Sequence, residues 1–185
     1  MSNLLRKVVG IYLRAPLPEL ERFIESPRLL DKLDLRVALG DGRAIDLGRC
    51  WDELGCLLDG GITAPETGPT VGDRPLWSNQ RAMWSLVVPE RVVALSTELG
   101  QLGREAFFSL YRVEEDETAD AAPGERTGQV LDRAAFLWHK LQALRDHYRE
   151  AAQRGEAMLV RVGDRPYETP PGDLAAVEGD APDDD

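Results

Sequence analysis

Both cysteines of the chain fall in one stretch, CWDELGC at residues 50–56, six positions apart around a tryptophan and two acids. A redox pair, a metal site and two thiols sharing a helix are the chemistries to weigh. On a helix, six residues separate the Cα atoms by about 9 Å along the axis, beyond the roughly 7 Å a disulfide can span, so the two cannot pair within an intact helix. Zinc or redox chemistry would want Cys-x-x-Cys spacing or two further ligands, and the only imidazoles are His139 and His147. Those two stand about 12 Å apart along one predicted helix and cannot share an ion. Asp146 beside His147 makes no triad, since adjacent helical positions point apart and no nucleophile-elbow motif occurs. Both histidines are expected on a solvated helix flank. Cys50 lies on the apolar stripe of its helix with Leu47, Trp51, Leu54, Leu57 and Leu58, and reads as a small buried hydrophobe.

Phosphate and calcium motifs fare no better. The glycines of DGGITAPETGPTVGDR lead into no Gly-Lys-Ser/Thr, and EEDET lacks the spacing of an EF-hand loop. The polar group of most interest is LWSNQRAMW, where Trp77 and Trp84 bracket Asn79, Gln80 and Arg81. Aromatic anchors beside an arginine are typical of binding hot spots; two tryptophans packed in a core with polar residues facing water is the other reading. A second constellation, Tyr12, Arg14, Asp52 and Arg81, offers the aromatic, carboxylate and guanidinium groups that anchor small ligands, provided they converge.

The elements that must position these residues follow from periodicity. VVGIYLR reads as a buried first strand, and Pro16 and Pro18 open a helix with Leu20, Phe23 and Ile24 inward. A short helical piece carries Leu29, Leu30 and Leu33. LGDGRAID then marks a turn, after which Asp46 is placed to cap the helix that ends at Gly60-Gly61. Residues 60–81 show no clear period and read as a loop. AMWSLVV resumes as a strand, Pro89 opens a helix with Val92, Leu95, Leu99 and Leu102 on one face, and REAFFSLY is a further short helix before an acidic loop. The longest element spans about Thr127 to Arg154, where Val130, Ala134, Leu137, Leu141, Leu144, Tyr148 and Ala151 make one stripe. AMLVRV closes the fold as a strand. The fold class is therefore α+β: a small mixed sheet covered by several helices, with one long C-terminal helix followed by a closing strand.

The 185 residues carry a formal net charge of -11, unevenly placed. Residues 113–126 hold six acids and one arginine, and residues 164–185 hold eight acids and one arginine, which leaves +1 for the rest. One α+β domain over residues 1–163 and an acidic Pro/Gly-rich tail over 164–185 follow. Basic residues are scattered among acids, which argues against nucleic-acid binding. No apolar run approaches the roughly 20 residues of a membrane-spanning helix, and with no leader-like segment and two cysteines the expected location is cytoplasmic.

Four segments, VVGIYLRAPLPELERFI, IDLGRCWDELGCLLDGG, VVPERVVALSTEL and LQALRDHYREAAQRGEAMLVRV, resemble in order and spacing the YfbM family of bacterial proteins of unknown function. The resemblance covers about residues 8–162 and rests on Trp51-Asp52, the Pro-Glu helix opening at Pro89, and Tyr148, Ala151-Ala152 and Gly155 before the closing strand. It implies a compact α+β domain with no established activity. The chain departs from the family pattern at Gly55, where members often carry histidine, and at Tyr111-Arg112, where Tyr-Pro is usual.

The functional expectation is a non-enzymatic module that binds another protein, an immunity protein occupying a toxin's active site being one form of it. It uses no metal or cofactor. The alternative is a small-molecule-binding enzyme or sensor built on the Tyr12, Arg14, Asp52 and Arg81 set.

Overall fold

The computed structural model describes residues 8–59, 69–118 and 126–166, with backbone alone for 59, 112–118 and 126–131. Among the described residues five strands, β1 (Val8–Ala15), β2 (Ala44–Gly48), β3 (Arg74–Ser78), β4 (Ala82–Val87) and β5 (Ala157–Asp164), form one sheet in the order β2-β1-β5-β4-β3. Every pairing is antiparallel, so the sheet is not mixed as the sequence suggested. The near-continuous apolar runs of β1 and β5 read like parallel strands because such runs mark burial on both faces; here helices cover both faces of an antiparallel sheet and have the same effect.

Alternation in β1 divides the core in two. Val9, Ile11, Leu13 and Ala15 join Trp84, Leu86 and Leu159 on one side, under α1 (Leu17–Glu25), a 3-10 segment (Pro27–Lys32) and α2 (Leu35–Gly40). Tyr12, with Val160 and Met158, faces α3 (Cys50–Asp59), α4 (Pro89–Gln101), α5 (Arg104–Thr118) and α6 (Arg126–Arg154) on the other. The stripe of α6 behaves as its spacing predicts, with Ala134, Leu137, Leu141, Leu144, Tyr148 and Ala151 all buried; the side chain of Val130 lies outside the described residues.

Several local expectations need correction. Ile24 faces outward, because Leu20 and Phe23 already fill the contact of α1 with the sheet. Asp46 does not cap α3: it sits in β2 and its carboxylate accepts the amide of Gly48 at 2.6 Å, closing an Asx-type turn before the helix starts. The side-chain cap in this region is Asp34, which accepts the amides of Arg36 and Val37 at the start of α2. Residues 74–78 form β3 instead of loop, and α5 continues through 113–118, into the stretch read as acidic loop. Residues 60–68, 119–125 and 167–185 lie outside the described residues, and with them most of the expected acidic loop and tail.

Candidate functional site

The hairpin that joins β3 to β4 is built by Asn79. Its Oδ1 accepts the amides of Arg81 at 2.7 Å and Ala82 at 2.9 Å, and its own amide donates to the Ala82 carbonyl at 2.9 Å, the self-bonding that suits Asn to turns. Trp77 and Trp84 are cross-strand partners. Trp84 is fully buried under the α1 side of the sheet, whereas Trp77 is half-buried and directs its indole N–H to Asp31 Oδ2 at 3.0 Å. The other carboxylate oxygen of Asp31 takes Asn79 Nδ2 at 2.7 Å. Arg28, from the same 3-10 segment, stands over the Trp77 ring at 5.8 Å. One exposed aspartate thus ties the 3-10 segment to both the tryptophan and the turn of the hairpin, leaving Gln80 and Arg81 exposed at a tip whose backbone is held.

The other sequence-predicted residues are placed apart from this tip. Tyr12 and Arg14 are neighbours on one face of β1, and Asp52 is exposed in the first turn of α3. Arg14 pairs with Met158 and Arg81 stands beside Asp164, six residues or about 20 Å further along β5. Those two guanidiniums belong to opposite ends of the sheet.

Arg14 is almost wholly buried and internally engaged. Its Nη2 donates to the Gly42 carbonyl at 2.9 Å, and Nη1 lies 2.7 Å from Glu150 and 3.7 Å from Glu156. Its guanidinium holds the Glu150 carboxyl below the usual range. Beside it His147 is buried, contrary to the solvated flank expected of it, and contacts the Tyr12 carbonyl through Nε2 at 3.1 Å. A carbonyl only accepts, so Nε2 carries the proton and donates. Burial first, and the Arg14 charge second, push its pKa down to about 4, so the ring is neutral near pH 7. His139 is exposed, as expected.

Sequence reasoning missed a third arrangement. Three consecutive carbonyls each accept a hydroxyl from a different element: Pro69 from Tyr148 at 3.0 Å, Thr70 from Tyr12 at 2.9 Å, and Val71 from Ser85. The turn-rich strap 69–73 is pinned against the sheet, then enters β3 through the Asp73 amide on the Leu86 carbonyl at 3.1 Å. Two glycines make room. A Cβ on Gly55 would come within 2.8 Å of Thr70 Oγ1, and Gly72, at φ +79°, would meet Ser85 Oγ at 2.5 Å. Any larger side chain at position 55 would therefore have to displace the Thr70 hydroxyl. The available signal was that a buried tyrosine needs a partner for its hydroxyl; which partner is a long-range matter.

Neither cysteine is in a disulfide. Cys50 is buried with Sγ 2.6 Å from the Leu47 carbonyl, and burial raises its pKa. Among the described residues no three His, Cys, Asp or Glu side chains are grouped to hold a metal ion, and no helix is long and apolar enough to cross a membrane.

A helix-covered antiparallel sheet with a closing strand after a long helix is also found in known proteins. The model for the domain of unknown function DUF1877 matches residues 8–161. The chain belongs to that family. Among solved structures it is similar to the crystal structure of YfbM from Escherichia coli, a protein of unknown function, at 18% sequence identity and a TM-score of 0.60, over 83% of this chain and 99% of that one. At that identity the likeness is one of fold. No curated protein matches the chain.

Proposed function

We propose that the chain is a non-enzymatic protein-binding module whose contact surface is the β3–β4 hairpin tip. The supporting observation is the double engagement of Asp31 by Trp77 and Asn79. A turn whose backbone is held by side-chain hydrogen bonds loses little conformational freedom on binding, which is how preorganised surfaces gain affinity. Arg28 over Trp77, with Gln80 and Arg81 alongside, supplies the arginine and aromatic groups in which interface hot spots are enriched. In the sharper form of this reading the partner is a toxin whose active site receives the tip, since a narrow, rigid turn suits a concave site.

The reading of polar residues elsewhere supports the same choice. Tyr12, Tyr148, Ser85, Arg14 and His147 each have a structural hydrogen bond or ion pair inside the fold, so they act on the chain's own backbone and carboxylates.

A photo-crosslinking amino acid at position 80, introduced in the source organism, tests the proposal. One discrete protein adduct is expected, reduced at least tenfold by Arg81→Glu and by Trp77→Ala. An adduct indifferent to both substitutions, or none under any growth condition, would sink the reading. For the toxin form, co-expression with the captured partner should restore growth with the wild-type chain and fail with Arg81→Glu.

A further inference from the structure

The strap over residues 69–73 enters the sheet without belonging to it. Pairing of β3 with β4 begins only at Arg74, and Asp73 joins β4 through its amide on the Leu86 carbonyl. Ahead of that bond the strap is anchored by side chains: the hydroxyls of Tyr148 on α6, Tyr12 on β1 and Ser85 on β4 donate to the carbonyls of Pro69, Thr70 and Val71. Pro69 and Thr70 are buried, and the Thr70 hydroxyl lies against Gly55 of α3. The strap thus runs between α3, α6 and the face of the sheet, anchored to each by side-chain contacts.

Two features suit it to leave that place as a unit. Gly72 stands between the anchored carbonyls and β3 with φ +79°, a conformation glycine adopts freely, which makes it a pivot at the junction. Ser85 has a second acceptor in place, the Val160 carbonyl at 3.5 Å, so its hydroxyl has a partner to turn to when Val71 departs. Magnitudes point the same way. A hydroxyl–carbonyl bond is worth about a factor of five in equilibrium, so three favour the closed strap by about a hundredfold, whereas folded domains are favoured over unfolded chain by roughly 10³–10⁸.

We propose that residues 69–73 form a releasable latch: the strap swings out on Gly72 while the sheet and helices stay folded. In the closed form the chain's own carbonyls occupy the hydroxyls of Tyr12, Ser85 and Tyr148. Release frees those three donors together and uncovers Gly55 on α3. The latch lies at the base of β3, away from the hairpin tip, and does not depend on the reading of that tip as a binding surface.

Native-state hydrogen exchange of the full chain, followed residue by residue at rising sub-denaturing urea, tests the latch. A local opening exposes little surface, so the exchange it governs responds weakly to denaturant. The amides of Thr70 and Asp73 should show a shallow urea dependence, and those of Leu159 and Val160 in β5 a steep one. Equal steepness at all four would overturn the proposal. In Gly72→Ala, the added Cβ would come within 2.5 Å of Ser85 Oγ and favour the released form. Exchange at Thr70 and Asp73 should then rise at least tenfold, with Leu159 and Val160 still slower than both by at least a hundredfold. Loss of protection at all four amides together would show that the strap cannot leave without the fold, and would also overturn it. No partner enters either measurement, so a failed crosslink and a failed latch are separate results.

Discussion

The two ends of the β1/β5 pair carry the same kind of residue in opposite circumstances. At the end where β5 begins, Arg14 is buried among Glu150, Glu156 and the Gly42 carbonyl, and nearby Arg43 pairs with Glu19 and Arg154 with Glu150. At the end where β5 finishes, Arg81 and Arg49 are exposed and make no ion pair among the described residues. Burying a guanidinium without compensation is costly, so an arginine inside the fold must be paired and hydrogen-bonded. An exposed one is under no such demand, and its charge is available to something outside. Identity alone does not distinguish a structural arginine from a recognition arginine; burial and compensation do.

Stability measurements test that contrast directly. Arg14→Met should destabilise the chain by about 3 kcal/mol in urea titration, the low end for breaking a buried pair because Glu150 is partly exposed. A loss under 1 kcal/mol would mean the closed end is no more structural than the open one. His147 gives a pH signature of similar size. Its native pKa of about 4 lies below the ordinary 6.5, so as pH falls through 6.5 the unfolded chain takes up a proton that the native chain refuses until about 4. Stability is therefore undiminished above pH 6.5 and declines between 6.5 and 4, by up to about 3 kcal/mol. The stability of wild type relative to His147→Gln should fall as pH is lowered from 6.5 to 4; parallel curves would count against the buried neutral imidazole.

Smaller effects are expected at the strap, where Tyr148→Phe and Tyr12→Phe each leave one carbonyl without its hydroxyl. A loss of about 1–2 kcal/mol apiece should appear in the same titration. At the open end, Arg81→Met and Arg49→Met should shift stability by no more than about 0.5 kcal/mol. A loss above 1 kcal/mol at either would show that these arginines are part of the scaffold, and for Arg81 would weaken its assignment to recognition.

Periodicity made much of this legible. The α6 stripe steps by three and four over many turns, and β1, β4 and β5 are apolar enough to declare themselves. β2 and β3 were not, because AIDLG and RPLWS are five-residue edge strands, half exposed, and β3 carries Pro75 and a register shift. His147 could have been placed: at 100° per residue it lies about 40° from Ala151 at the margin of the α6 stripe, whereas His139 lies on the opposite face. Asp31 could not, since an acid in a short helical piece carries no sign of a tryptophan 46 residues later.

By itself the sequence determined the class of the fold, the order of its main elements, the impossibility of pairing Cys50 with Cys56 along one helix, and the confinement of negative charge to two segments. These depend on local periodicity and covalent spacing, which are properties of neighbouring residues. Tertiary structure alone decided that Trp77 and Asn79 share Asp31, that three hydroxyls secure three successive carbonyls, and that one arginine of β1 is enclosed while another beside β5 is open. Such outcomes depend on strand register and on what packs over each face, and those are settled only when segments far apart in the chain meet.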